Sequence, residues 1–224
     1  YIDSLVYSLI DDSEWILLNT EGSVSSEIVI PEQIDGKPVT QIADHAFMDC
    51  SSLKSITIPG SVTSIGEWAF SGCKSLRSIT ISDGVTSIGA NAFWGCFSLK
   101  SVSLPDSLTS IGDFAFNDCI SLSSIVIPNS VKNIGGFVFG GCSKLTIIYA
   151  EATSKPYGWH IYWAAECPVA WGYKSSGGQV TYEKITTIYD AQNTNNKSYQ
   201  TSTNNKSYQT SSNSSINNKS NFSI

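Results

Sequence analysis

The chain has 224 residues, 41% of them hydrophobic, and a formal net charge of −6, a composition that fits an ordinary globular domain. All 19 Asp and Glu lie at or before Asp190, and Lys197, Lys206 and Lys219 are the only charged side chains beyond it, so an acidic body carries a basic tail and nucleic acid is excluded as the body's expected partner. No run of about 18 apolar residues is available to span a membrane as a helix. The first residue is Tyr1 and no signal peptide is visible, so the chain reads as a processed or excised piece, with any export signal upstream.

Residues 1–27 read as an N-terminal β cap. SLVYSLI and EWILLNT are apolar, partly alternating runs, and SSEIVIP follows the turn signal at Gly22, so short antiparallel strands covering the first coil are expected. A repeating body begins at Ile28. Its first coil is longer than the rest, because Ile30 to Ile42 spans 12 positions where Ile58 to Ile65 spans 7; the added residues around Ile34-Asp35-Gly36-Lys37-Pro38 read as a loop.

The repeat is found by subtraction. Cys50, Cys73, Cys96, Cys119 and Cys142 are spaced by 23 residues, as are Leu53, Leu76, Leu99, Leu122 and Leu145, and Phe47, Phe70, Phe93, Phe116 and Phe139. A period in this range marks a solenoid of the leucine-rich-repeat size class. Within one coil, LxxIxIP predicts a short strand with Ile56 and Ile58 inward and Ser55 and Thr57 outward, ended by Pro59. Val62 and Ile65 turn inward next, Gly66 breaks the extended path, and Ala69, Phe70 and Cys73 have the spacing of a single 3₁₀ or short helical turn. Five of the six cysteines form one column. Coils stacked at about 4.8 Å hold equivalent side chains parallel, a poor geometry for a disulfide, so free thiols acting as small buried apolar groups are expected.

After Leu145 the 23-residue pattern breaks. Residues 149–189 gather Tyr157, Trp159, Tyr162, Trp163, Trp171 and Tyr173 among prolines and glycines and read as an aromatic-rich C-terminal cap. Residues 190–224 are an Asn/Ser/Lys-rich low-complexity tail in which NNKSYQTS occurs at 195–202 and again at 204–211; so polar a segment is expected to be disordered and to act as a tether or spacer.

The pattern LxxIxIPxxVxxIGxxAFxxC, as in Leu53 to Cys73, resembles the BspA-like family of leucine-rich repeats. IPEQIDGKPVTQIADHAF resembles that family's usual first coil, and IYAEATSKPYGWHIYWAAECPVAWGY resembles a segment that closes bacterial members. The resemblance covers residues 28 to about 173. It implies a leucine-rich-repeat solenoid of short parallel β-strands and 3₁₀ or short helical turns over residues 28–148, capped at both ends. It also implies an extracellular or cell-surface protein that binds host matrix, host cells or neighbouring microbes, with no catalytic residues and no cofactor.

The search for chemistry returns little. His45 shares a repeat column with Trp68, Asn91, Phe114 and Phe137, and His160 with Cys167 can be imagined as a Cys-His pair, although both lie in the aromatic cap. No metal-ligand spacing, nucleophile elbow, phosphate loop or dinucleotide fingerprint is present. Two surfaces remain as candidate binding sites. Trp68, Phe114 and Phe137, with Trp94 filling the gap at Asn91, would draw an apolar stripe along one flank, or else fold down as half-buried packing. The strand face offers serine and threonine rows edged by Lys54, Arg77 and Lys100 and ending near Tyr149, which serve either as a second site or simply as a solubilising surface. The expected function is a non-enzymatic protein-binding or adhesion module of a secreted or cell-surface protein. The alternative is a carbohydrate-binding module in which Tyr157, Trp159, Trp163 and Trp171 stack on sugar rings.

Overall fold

In the computed structural model, residues 5–20 and 24–174 are described. Their strands are β1 (Leu5–Ile10), β2 (Glu14–Thr20), β3 (Glu27–Val29), β4 (Gln33–Ile34), β5 (Lys37–Ile42), β6 (Ser55–Ile58), β7 (Ser64–Ile65) and β8 (Ser78–Ile81), followed by β9 (Ser87–Ile88), β10 (Ser101–Ser103), β11 (Ser110–Ile111), β12 (Ile125–Ile127), β13 (Asn133–Ile134), β14 (Ile148–Ala150) and β15 (Val169–Trp171). The chain winds as a parallel β-solenoid. One side of each coil is a main strand, stacked β3-β6-β8-β10 and then β12-β14-β15. A second side is a short strand, two residues long from β7 onward, stacked β5-β7-β9-β11-β13. Equivalent residues pair in register, Ile56 with Ile79 and Ile65 with Ile88, so the 23-residue period is the pairing register itself.

The third side, which carries the AFxxC segment, is also a ladder. Phe47 N–H donates to Ala69 O at 2.7 Å, Phe70 N–H to Ala92 O at 2.7 Å and Phe93 N–H to Ala115 O at 2.8 Å. Single i→i−3 bonds alternate with these, as from Cys73 N–H to Phe70 O and from Cys96 N–H to Phe93 O. The expected 3₁₀ spacing is therefore present as isolated turns. A continuous helix does not form there, because every second N–H is directed at the next coil.

β1 and β2 form the expected antiparallel hairpin, and β2 runs parallel to β5, so the hairpin joins the second side. SSEIVIP departs from expectation. β3 pairs parallel with β6, Ile28 opposite Ile56, and is the first rung of the main sheet rather than part of an antiparallel cap; Ile28 and Ile30 continue the inward columns. The extra residues of the first coil form a tight hairpin between β4 and β5, with Asp35 and Gly36 both at positive φ, as a two-residue type I′ turn requires.

The core is a set of columns. Phe47, Phe70, Phe93 and Phe116 are fully buried, with neighbouring rings near-parallel at 5.0, 5.2 and 5.0 Å. Beside them each buried thiol donates to a phenylalanine carbonyl: Cys73 Sγ to Phe47 O at 3.1 Å, Cys96 to Phe70 O at 3.2 Å, Cys119 to Phe93 O at 3.3 Å and Cys142 to Phe116 O at 3.1 Å. All six cysteines are free. Burial raises these thiols above their ordinary range, Cys142 to about 12 and Cys73, Cys96 and Cys119 upward as well.

The stack continues past Leu145. β14 and β15 add parallel rungs, Ile134 bridges to Trp159, and Cys167 follows Cys142 by 25 residues instead of 23. The aromatic-rich run thus supplies a further, longer coil up to Trp171. The remainder of the expected cap beyond Lys174, and the tail at 190–224 with its expected disorder, lie outside the described residues.

The glycine after each two-residue strand is a close-approach position. A Cβ at Gly89 would lie 2.6 Å from Glu67 N and 2.7 Å from Gly66 C, backbone of the preceding coil that cannot yield without separating the two turns. Gly89→Ala is expected to cost about 1–3 kcal/mol, read as a lower urea midpoint.

The thiol column sets a pH dependence. Folding keeps these groups protonated, so their contribution is fully present below the unfolded thiol value of about 8.5 and is lost as pH rises through the folded values. The urea midpoint should fall as pH is raised from about 8.5 to 11, and Cys96→Ala with Cys119→Ala should flatten that slope.

Candidate interaction surface

Two flanks of the solenoid carry the residues marked in the sequence, and the fold separates them by chemistry. Trp68, Phe114 and Phe137 lie on the AFxxC flank. The backbone there is unusual: His45, Trp68, Asn91, Phe114 and Phe137 all have positive φ, between 52° and 61°. Left-handed backbone suits Gly and Asn and disfavours bulky side chains, so nothing local selects Trp or Phe at these positions. The conformation follows from the fold. Trp68 N–H must reach Ala90 O, and Phe114 N–H must reach Gly136 O, in the next coil.

This backbone turns the rings outward. Phe114 and Phe137 are 40% and 43% exposed and stack at 5.8 Å with only 10° between planes. Tyr162, 38% exposed, continues the row against Phe137 at 5.6 Å. Further toward the N-terminus, half-buried Trp68 meets Trp94 edge-on at 6.0 Å, so Trp94 does stand beside the column that Asn91 interrupts. Trp94 Nε1 donates to Asn117 Oδ1 at 3.2 Å, which orients the indole across the coils.

Sequence reasoning missed Tyr162, Phe97 and Ile120 on this flank. Tyr162 lies 25 residues after Phe137, hidden by the changed spacing of the last coil. Phe97 and Ile120, 40% and 42% exposed, share the variable column that follows the cysteine, a signal that was readable. At the C-terminal end of the row, a groove of about 720 Å3 opens between the last two coils, lined by Phe137, Tyr162, Leu145, Cys142, Cys167 and Glu166 among others. The flank also carries carboxylates. Asp44 and Asp113 each spend one oxygen on a backbone N–H of the next coil, that of Glu67 at 2.7 Å and of Gly136 at 2.6 Å.

The second surface is the outward side of β6, β8 and β10. Lys54, Arg77 and Lys100 are exposed at equivalent positions of three successive coils, and the outward residues beside them are Ser55, Thr57, Ser78, Thr80, Ser101 and Ser103. Tyr149 lies two rungs further on, half-buried and packed on Tyr173 at 4.9 Å.

Two other expectations meet a physical obstacle. Trp159, Trp163 and Trp171 are 2%, 3% and 6% exposed and pack on one another at 4.7 to 6.2 Å, so they form the core of the last coil and have no free face for a sugar. Of that set only Tyr157 is exposed. The His160 and Cys167 pair is not assembled: Cys167 Sγ donates to Leu145 O at 3.3 Å, His160 Nδ1 accepts from Tyr162 N–H at 3.2 Å, and burial pushes the Cys167 thiol up to about 11, opposite to what a nucleophile needs.

Comparison with known proteins bears on this geometry. The family described as BspA type Leucine rich repeat region matches residues 40–162 in six copies. Among solved structures, a leucine-rich repeat protein from T. pallidum aligns at 39% identity and a TM-score of 0.64, over 66% of this chain and 70% of the other. A leucine-rich repeat protein from Bacteroides ovatus aligns at 29% identity and 0.59, over 66% of this chain and 46% of its own. A leucine rich cell surface protein from Faecalibacterium prausnitzii aligns at 26% and 0.59, over 82% and 58%. The chain thus spans about half the length of the last two. No match was found among curated proteins.

The left-handed column yields a stability prediction. Phe114→Asn removes a ring that is 40% exposed while relieving a strained backbone, so the two effects oppose, and the melting temperature should move by the equivalent of less than about 1 kcal/mol. Phe93→Ala, in the buried stack, should cost about 3–5 kcal/mol by the same measurement.

Proposed function

Because the chain belongs to the BspA-type leucine-rich-repeat family, we propose that it is a non-enzymatic protein-binding module of a secreted or cell-surface protein, engaging its partner through the aromatic flank. The observation that carries this reading is the exposed row Phe114, Phe137 and Tyr162, stacked ring on ring and leading into the groove beside Leu145. Phe114 and Phe137 stand in left-handed backbone against local preference, and such departures gather where a protein recognises something else. Stacked aromatics are also pre-ordered. They offer a large apolar area with little side-chain entropy left to lose on binding, the property of interface anchors.

The cell-surface assignment draws on the F. prausnitzii relative, which is a cell surface protein. Extracellular proteins of a host matrix, a host cell or a neighbouring microbe are the partner class. The carbohydrate reading through the terminal tryptophans is not favoured, since those rings are buried.

The test is surface plasmon resonance of the full chain against purified extracellular-matrix proteins, with a triple variant Trp68→Asn, Phe114→Asn and Phe137→Asn. Asn already occupies the equivalent position 91, so circular dichroism of the variant should match the parent. Affinity for a bound matrix protein should fall about tenfold or more. Unchanged affinity would remove the flank from the mechanism.

A further inference from the structure

Hydroxyl groups on two sides of this solenoid behave differently. On the second side, Thr63 Oγ1 donates to Thr40 O, Thr86 to Thr63 O and Thr109 to Thr86 O, at 3.1, 3.0 and 2.9 Å, so those hydroxyls are used within the stack. On the main sheet the outward hydroxyls of β8 and β10, Ser78, Thr80, Ser101 and Ser103, are exposed and have no side-chain hydrogen bond among the described residues. They form two parallel rows with the coil spacing of about 4.8 Å.

A cationic row runs beside them. Lys54, Arg77 and Lys100 are locked one coil apart by their own backbone, Arg77 N–H to Lys54 O at 2.8 Å and Lys100 N–H to Arg77 O at 3.3 Å. None of the three has an ion-pair partner among the described residues. No carboxylate faces outward from β6, β8 or β10; Glu27 on β3 stands at one end, and Asp83 and Asp106 come after the strands close. In a body that is acidic, three unneutralised cations in register repel one another and attract an anion with the same repeat.

We propose that this face binds a linear anionic polysaccharide lying along the stacking direction across β6, β8 and β10. Lys54, Arg77 and Lys100 engage its carboxylate or sulfate groups, and the serine and threonine rows engage its hydroxyls. An extended 1,4-linked hexose chain advances by close to one coil's rise per ring, so successive sugars meet successive coils. A peptide fits less well, because β6 and β8 are paired on both sides and the outer side of β10 packs against β12, which leaves little edge for strand addition. Single-stranded nucleic acid fits less well, because no aromatic side chain faces outward from these strands to stack a base. The row is independent of the aromatic flank, and the fourth coil ends it, with Ser123 in the lysine column.

The test is calorimetric titration of the full chain at about 0.15 M ionic strength with a galacturonate hexamer and a heparin hexasaccharide, which separate carboxylate from sulfate recognition, and with cellohexaose and an oligo-dT as comparators. One or both anionic glycans should bind. Lys54→Gln, Arg77→Gln and Lys100→Gln together should weaken that binding about tenfold or more, and Arg77→Glu alone should act in the same direction, with melting temperatures unchanged. Lys197→Gln, Lys206→Gln and Lys219→Gln, which neutralise the tail, should leave affinity within about twofold. The proposal is overturned if neither anionic glycan binds, if cellohexaose or oligo-dT binds as tightly, or if the loss follows the tail variant instead of the face variant.

Discussion

Backbone hydrogen bonds in this chain close between residues one coil apart, on all three sides of the cross-section. On the AFxxC side an earlier coil donates to a later one, as from Phe70 to Ala92; on the other two sides bonds run both ways, from Thr86 to Thr63 and from Arg77 to Lys54, and in reverse from Ile134 to Gly158 and from Ile30 to Thr57. The opposed directions leave each coil tied to its neighbour by both donors and acceptors. A coil alone would bury too little and leave too many amides unpaired to persist, so the register of this ladder is the condition on which side-chain columns, turns and surfaces depend.

Given that register, side chains at one position meet their equivalents. Inward positions become continuous columns of Phe, Ile, Leu and Cys, and the glycine column permits the close approach that the ladder requires. Outward positions become rows with a fixed repeat. The aromatic flank and the cation-hydroxyl face are two such rows, kept apart because the three sides of a coil do not mix. Recognition by this molecule is therefore a matter of which letters fill the outward positions and over how many coils they persist.

Much of this was legible because a repeat states each structural rule several times. Ile56 and Ile58 could be placed inward from one strand, and the later coils said the same. Legibility failed where a rule was stated once. The two added residues between Cys142 and Cys167 masked the last coil as a cap, and substitution of Trp159 and Trp163 where earlier coils have Ile134 and Phe139 removed the letters that would have revealed it. The parallel pairing of β3 was hidden beside an antiparallel hairpin of similar composition. Burial of the terminal tryptophans was not readable either, since a large amphipathic ring serves a core or a surface equally well. The left-handed column was concealed because Trp and Phe do not announce positive φ as glycine does; only His45 and Asn91 there hinted at it.

That column has a consequence for how such a protein changes. His45, Trp68, Asn91, Phe114 and Phe137 share one backbone conformation although their side chains differ in size and polarity. The socket is imposed by the neighbouring coils and is indifferent to its occupant. A single codon change there exchanges what the flank displays without asking the scaffold to refold, and duplication of a coil lengthens the display by one place. Sequence drift at this position is thus decoupled from folding, which allows a lineage of such chains to acquire new partners while the architecture stays fixed.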